Sequence, residues 1–321
     1  MIDFVGKRKW YFIVSGLAIL IGIISLVAFG LTWGIEFTSG TSMTIRFEQE
    51  VKQEELRQEL ANLGHGDAMI QTTGEGDFLI RTERLKPEVR DPETGEVITP
   101  GEGDVIAEAL EERFGPLIVT DYYDVSSIVA REIGRNATIA VIAAAIGILV
   151  YITWAFRRLM RPFRYGICAI VALMHDVLIV FGMYALLGAF SNMEIDVMFI
   201  TGILIVIGYS VNDTIVVFDR IRENTAKSPS SDIETTINGS LNETLGRSLI
   251  TSLTTLFVLL ALYLFGGATI QNFILVLIMG VIAGTYSSIA IASQLLVVWH
   301  KRGLPSFLRR LRPSRVPLRG A

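Results

Sequence analysis

The chain has 321 residues, 51% of them hydrophobic, and a formal net charge of −4. This composition is typical of a multi-pass membrane protein with one modest aqueous domain, and the small net charge argues against a nucleic-acid partner. The one cysteine, Cys168, excludes an internal disulfide and the usual zinc cluster, and no P-loop, GxSxG or HExxH pattern indicates ATP hydrolysis or common hydrolytic chemistry.

The first apolar run extends from Trp10 to about Leu31 and follows the basic triplet Lys7-Arg8-Lys9. It is about 20 residues long, which exceeds the apolar core of a secretory signal, and no A-x-A cleavage site follows it. We therefore interpret residues 1–34 as a cytoplasmic N terminus and a retained first transmembrane helix.

Residues 35–130 form the long polar region of the chain. Residues 31–135 contain 22 acidic and 10 basic side chains, a net charge of −12. The patterning predicts strands at 41–48, 68–73, 77–81 and 117–125, helices at 52–63 and 103–114, a turn at 74–76 and an exposed loop at 86–101. The order β-α-β-β-α-β is typical of a small α+β ferredoxin-like domain.

Five more apolar runs follow, each near the 20 residues that a spanning helix needs. They lie at about 136–156, 163–187, 195–218, 247–265 and 273–299. Residues 131–300 are thus predicted to hold transmembrane helices 2–6, and 301–321 a basic cytoplasmic tail. The predicted fold class is a polytopic α-helical membrane protein with six transmembrane helices and the ferredoxin-like domain between helices 1 and 2.

The basic residues predict how the chain is oriented in the membrane. They cluster at the N terminus, in the loops after helices 2 and 4, and in the tail, whereas loops 188–194 and 266–272 have none. By the positive-inside rule both termini are cytoplasmic and the acidic domain is extracytoplasmic. We interpret the tail as a topology signal that also contacts anionic membrane lipids, with a docking site for a protein or ribosome as the alternative.

Asp213 lies inside the fourth apolar run, where a charged residue costs roughly 2.5–3.5 kcal/mol on insertion scales. Arg247 opens the fifth run, and Thr251, Thr254 and Thr255 continue a polar stripe from it at helical spacing. The two charges are expected at similar depth on neighbouring antiparallel helices. Whether they touch within one chain is left open by the sequence.

Two interpretations of Asp213 and Arg247 follow from their chemistry. Burial raises the pKa of an aspartate and a nearby arginine lowers it, so an arginine that approaches and retreats makes a proton relay. The alternative is a static ion pair that fixes helix register. An aspartate with hydroxyl and amide neighbours suits H⁺ or Na⁺, so Na⁺ coupling is not excluded.

Other polar residues in the apolar runs are candidates for supporting roles. Ser210, Asn212 and Thr214 surround Asp213, and they either hydrogen-bond it, line a wetted path or make ordinary interhelical contacts. His175-Asp176 lies midway along the third run and offers either a secondary relay step or a structural pair. Adjacent helical positions point about 100° apart, so we expect the two side chains not to share one partner. One intramembrane histidine argues against a metal site.

Several of these stretches resemble the SecF family, the smaller-subunit family of the SecD–SecF protein-export complex. The fourth-helix stretch V-I-G-Y-S-V-N-D-T-I-V-V-F-D-R-I-R-E-N at 206–224 is similar to the family signature. Supporting stretches are G-I-E-F-T-S-G at 34–40, H-D-V at 175–177 and N-E-T-L-G-R-S-L-I-T-S at 242–252. Glu36 and Ser39 depart from the family's G-I-D-F-x-G-G, and Val125-Ser-Ser127 stands where V-G-P is common, which affects the hinges of the outer domain.

The resemblance implies one half of a twelve-helix RND-superfamily unit in a bacterial or archaeal-type cytoplasmic (inner) membrane. It implies SecD as the other half and the SecYEG channel, SecA, optionally YajC, and a translocating unfolded preprotein as further partners. Asp213 and Arg247 match the proton-path residues, and SecD adds a further aspartate. No cofactor and no enzymatic activity are implied, because the proton gradient drives the work.

Two other functions remain as alternatives. The first alternative is that the chain is half of an RND-type small-molecule transporter. Efflux pumps of that superfamily, however, carry larger outer domains and both halves in one chain. An intramembrane aspartyl protease is the second. That chemistry needs two carboxylates at catalytic distance, and such enzymes share a G-x-G-D motif where this chain has Ser210-Val-Asn-Asp213.

Overall fold

A computed structural model of the chain describes residues 2–72, 76–91, 94, 96–157, 162–191, 193–228 and 232–302. The first helix, α1, spans Arg8–Phe29 and ends at Gly30, whose positive φ of 71° turns the chain out of the helix. A short helix, α2 (Ile35–Thr38), then leads into the aqueous domain.

The aqueous domain is an antiparallel sheet covered on one face by two helices. Its elements are β1 (Gly40–Phe47), α3 (Gln53–Asn62), β2 (Met69–Thr72), β3 (Phe78–Thr82), β4 (Val89–Arg90), β5 (Val97–Thr99), α4 (Glu102–Phe114) and β6 (Leu117–Val125). The main sheet has the strand order β2-β3-β1-β6. This split βαβ arrangement agrees with the predicted ferredoxin-like pattern.

Alternation along the strands builds the core of this domain. Met43 and Ile45 of β1 point to the helical face and meet Ile80 of β3, and Leu56 and Leu110 cover them from α3 and α4. The predicted loop at 86–101 instead carries a small exposed ribbon in which β4 pairs with β5. The predicted turn at 74–76 falls largely outside the described residues.

The chain then returns to long helices. They are α5 (Ser127–Ala155), α6 (Phe163–Ser191), α7 (Val197–Lys227), α8 (Ile233–Phe265), α9 (Ala268–Ser287) and α10 (Ser293–Arg302), with a π-helical turn at Ser288–Ala292 that joins the last two. Counting α9 and α10 as one span, the described residues contain six helices long and apolar enough to cross a membrane. The predicted six-helix architecture is therefore confirmed.

Several spans extend beyond the apolar runs that predicted them. Helix α5 begins at Ser127 instead of about 136, and α8 begins at Ile233 instead of about 247. Their start points are set by caps: Ser126 Oγ accepts a hydrogen bond from the Val129 amide at 3.4 Å, and an Asp232 carboxylate oxygen accepts one from the Glu234 amide at 3.2 Å. Hydropathy detects only the lipid-embedded part of such a helix. The basic tail predicted at 301–321 lies almost entirely outside the described residues.

The helices pack through small residues. A Cβ atom at Gly182 of α6 would lie 2.4 Å from the Cα of Gly22 in α1, so the two backbones cross in direct contact. Helices α6, α7 and α9 contribute many of the buried side chains, whereas α1, α5 and α8 leave large apolar side chains exposed on the outside of the bundle. Of the acidic residues described next, Asp176 lies where α6, α7 and α9 meet, and Asp213 lies where α7, α8 and α9 meet.

Candidate functional site

Asp213 is 2% exposed and its contacts are with hydroxyl groups. Its Oδ2 atom accepts a hydrogen bond from Ser252 Oγ of α8 at 3.4 Å. Ser252 Oγ in turn lies 2.6 Å from Thr285 Oγ1 of α9. The carboxylate therefore lies at a three-helix junction.

Arg247 lies away from this carboxylate. Arg247 is exposed, and it forms no ion pair with any residue in the described part of the chain. Thr251 donates its hydroxyl to the Arg247 carbonyl at 2.9 Å, and Thr254 donates to the Ile250 carbonyl at 3.0 Å. The predicted polar stripe is thus exposed on the outside of α8. The side of α8 that carries Ser248 and Ser252, four residues apart, faces the bundle instead.

Asp176 is a second buried carboxylate, 1% exposed, and it is fully hydrogen-bonded. Its Oδ2 accepts from Ser210 Oγ at 2.5 Å and from Ser287 Oγ at 2.7 Å, and its Oδ1 lies 2.9 Å from His175 Nδ1. The His175 ring stacks on Tyr286 with centroids 6.0 Å apart. His175 and Asp176 therefore contact each other, as in the structural pair that the sequence analysis kept beside the secondary relay step.

The remaining predicted residues divide between the inside and the outside of the bundle. Ser210 lies one helical turn before Asp213 and links Asp176 to α7. Thr214 is buried, but its hydroxyl donates to the Ser210 carbonyl at 3.1 Å. Asn212 is exposed. The structure thus gathers Asp213, Ser210, His175 and Asp176, and leaves Asn212, Arg247 and Thr251 on the outer surface.

Two hydroxyl residues of α9 were missed by the reasoning from sequence. Thr285 approaches Asp213 through Ser252, and Ser287 contacts Asp176 directly. A usable signal was present, because Thr285 and Ser287 are polar residues within a predominantly apolar run. Polar side chains inside a spanning helix usually face the bundle interior.

Together these observations define a multi-pass helical membrane protein with an α+β aqueous domain after its first helix and carboxylates buried among its helices. Residues 105–302 match the family profile described as "Protein export membrane protein SecD/SecF, C-terminal", and residues 24–51 match the "SecD/SecF GG Motif". The chain belongs to the SecD/SecF family of protein-export membrane proteins, and the resemblance identified from its motifs is confirmed.

Relatives and solved structures agree with this assignment. The chain is 44% identical to the protein translocase subunit SecF of Thermobaculum terrenum, over 98% of this chain and 99% of that one. It is 36% identical to the SecF of Anaerolinea thermophila, over 97% and 98% of the two chains. The crystal structure of SecDF, a translocon-associated membrane protein from Thermus thermophilus, superposes with a TM-score of 0.80 at 33% identity.

That superposition covers 94% of this chain and 39% of the SecDF chain, so this chain spans about two fifths of the SecDF chain. The family match and the structural match together support the assignment of this chain as an auxiliary subunit of the Sec protein-export machinery, with SecD as its partner. These matches do not favour the alternative that the chain is half of a small-molecule transporter.

Proposed function

We propose that the chain, together with SecD, uses the proton motive force to complete the translocation of secreted proteins across the cytoplasmic membrane. In this proposal both termini are cytoplasmic and the ferredoxin-like domain is extracytoplasmic. Asp213 is the proton carrier. The observation that carries the proposal is the burial of Asp213 against hydroxyl groups, with no cation in contact among the described residues.

The energetics favour a residue that changes its protonation state. A buried carboxylate without a paired cation is costly to keep charged, so the state of Asp213 responds to any motion that brings water or a cation to it. One elementary charge that crosses the membrane is worth about 2.3 kcal/mol per 100 mV. This energy is available in each cycle to drive a conformational change in the outer domain.

The outer stripe of α8 supports completion of the site by a second subunit. Arg247, Thr251 and Thr254 are exposed close to the membrane-embedded part of α8. Carbonyl groups of the helix accept from the two threonine hydroxyls, whereas the charged Arg247 side chain is costly to leave against lipid tails. We therefore assign SecD to this face. Approach of Arg247 to Asp213 then becomes the step that releases the proton, since a nearby cation favours the charged carboxylate, and a SecD carboxylate becomes the group that accepts it.

Asp176 has a different part in this proposal. Its three donors compensate a buried negative charge, and they include the Ser210 hydroxyl one turn from Asp213. We assign Asp176, held by His175, as a fixed acceptor that orients Ser210 and Ser287, and Asp213 as the group that exchanges protons. SecYEG, SecA, YajC and the unfolded preprotein are the proposed partners of the working complex.

The test is export of a model secretory protein into membrane vesicles that contain the chain, SecD, SecYEG and SecA. A proton gradient is imposed after the ATP-driven stage, and the wild type is compared with Asp213→Asn. Asp219→Asn is the matched control, because Asp219 lies on the same helix but is exposed and pairs with Arg222. We expect gradient-driven completion to fail in Asp213→Asn and to persist in Asp219→Asn.

Equal completion by wild type and Asp213→Asn would contradict the assignment of the carrier. A parallel arm replaces the proton gradient with a sodium gradient at equal pH on both sides. Completion driven by sodium alone would identify Na⁺ as the coupling ion and contradict the proton proposal.

A further inference from the structure

The loop between α6 and α7 is joined by backbone hydrogen bonds to the segment that enters the aqueous domain. The Ile195 amide donates to the Thr32 carbonyl at 2.8 Å, and the Gly34 amide donates to the Ile195 carbonyl at 2.9 Å. Trp33 and Ile195 form a parallel bridge. The entry to the domain and the loop before α7 therefore form one connected piece of backbone.

A buried ion pair joins the same loop to the sheet of the domain. Arg81 lies on β3, opposite Ser42 of β1 and Met69 of β2. Its Nη1 atom lies 2.6 Å from Oε2 of Glu194, with the two side chains 18% and 5% exposed. Glu194 is also fixed at its backbone, because the Tyr184 hydroxyl of α6 donates to its carbonyl at 2.9 Å.

Three acidic groups surround this one arginine. Burial raises the pKa of Glu194 to about 7, although Arg81 acts in the opposite direction and lowers it. Burial also raises the pKa values of Glu36 on α2 and Asp196 at the start of α7, and Arg81 lowers both. At pH 8 Glu194 is predominantly ionised and Arg81 is its cationic partner. A buried pair of this kind contributes little net stability but enforces one geometry, since separating it leaves uncompensated charge.

The loop is also the cap of the helix that carries Asp213. Asp196 Oδ1 accepts a hydrogen bond from the Phe199 amide at 2.6 Å and caps α7. Helix α7 then runs without a break from Val197 to Lys227. At 1.5 Å per residue, Asp213 lies about 25 Å along α7 from this cap. Glu194 is therefore two residues from the cap of the helix that carries Asp213.

We propose that the Arg81–Glu194 ion pair is the contact that sets the orientation of the ferredoxin-like domain relative to α7. Arg81 and Glu194 act as positioning residues, through which a shift of α7 becomes a rotation of the domain. The orienting role stands by itself. The part that this ion pair takes in energy coupling rests on the proposed function.

The orienting role is tested by distances between spin labels at pH 8. Cysteines replace Glu55 on α3 and Leu264 near the end of α8, both exposed, in the full chain co-purified with SecD. Native Cys168 is buried and 1% exposed, so it is poorly accessible to the label. We expect one narrow distance distribution in the labelled parent chain and a broader or shifted one in Arg81→Gln and in Glu194→Gln.

Two further variants make the result specific. Arg84→Gln removes the ion pair of Arg84 with Asp124, 3.0 Å apart within the domain, and is expected to leave the distribution narrow. The charge reversal that combines Arg81→Glu with Glu194→Arg is expected to restore it. Unchanged distributions in both single variants, or no recovery in the reversal, would overturn the proposal.

Export separates this proposal from the function on which its coupling part depends. In the vesicle assay we expect Arg81→Gln and Glu194→Gln to lower gradient-driven completion several-fold while the ATP-driven stage persists. Normal gradient-driven export in Asp213→Asn would contradict the proposed function. The orienting role would then be tested by the spin-label distances alone. A block in Asp213→Asn, together with broadened distances and normal completion in Arg81→Gln, would overturn the coupling role alone.

Discussion

Ser39 occupies a backbone conformation that favours glycine. Among the described residues, Ser39 is the non-glycine residue with a positive φ. Its φ is 71° and its ψ is 152°. Side chains are strained there, at a cost on the order of 1–3 kcal/mol. The family motif that Gly34–Gly40 resembles has glycine at this position, so the departure noted from sequence corresponds to a measurable strain.

We predict that Ser39→Gly stabilises the protein. Relief of strain is partly offset by the greater flexibility of glycine in the unfolded chain, so the net gain is about 1 kcal/mol. Ser39→Ala keeps the Cβ atom and the strain, and is the matched control. Thermal unfolding of the full chain in detergent measures both variants, and equal melting temperatures for Gly and Ala at this position would refute the strain argument.

Individual site residues were predictable to different degrees. Asp213 was identified from the cost of a carboxylate in an apolar run, and the structure buries it. The inward face of α8 was not identified, because Arg247, Ser248, Thr251 and Ser252 all lie within two turns and periodicity alone does not choose between their faces. Packing against α9 makes that choice, and it brings Ser252 to Asp213.

The contact between α7 and α9 depends on small residues. A Cβ atom at Gly280 would lie 2.0 Å from Val206 Cγ2, and one at Gly284 would lie 2.9 Å from Ser210 Cβ. These glycines let the two helices approach closely enough for Ser210 and Ser287 to share Asp176. The acidic site is therefore a consequence of how tightly these two helices pack.

We predict that Gly280→Ala separates α7 from α9 and destabilises the protein by roughly 1–3 kcal/mol, the usual cost of overpacking. Gly147→Ala is the matched control, because no atom lies within 4 Å of a Cβ atom at this position of α5 and alanine favours the helix. Thermal unfolding distinguishes the two. If Gly280→Ala melts no lower than Gly147→Ala, the two helices are not held at their closest approach.

Among the elements, those with strong periodicity were predicted well. The strand at 117–125 has the predicted limits and the helix predicted at 103–114 spans 102–114, since turn residues such as Gly115 bound them. The helices α5 and α8 were predicted too short, because polar turns continue them beyond the apolar core. The β4–β5 ribbon was missed because its strands have two and three residues, too few for a periodic pattern.

At the scale of the whole molecule, two kinds of outer surface are distinguishable. Helix α5 exposes large apolar side chains, including Ile139, Ile142, Ile146 and Val150, which suit contact with lipid tails. Helix α8 exposes Arg247, Thr251 and Thr254 as well as apolar residues. Lipid tails cannot satisfy the arginine, so of these two faces the one on α8 is better suited to a protein neighbour.

We predict that a photo-crosslinker introduced at Thr254 of α8 captures SecD in membranes that contain both chains. The same crosslinker at Ile146, on the apolar face of α5, is expected to label lipid. The reason is the difference in polarity between the two exposed faces. Capture is measured by the mass of the crosslinked product with and without SecD. Lipid labelling at both positions would mean that the α8 stripe meets water or lipid, and that Asp213 is not completed by a second subunit at this face.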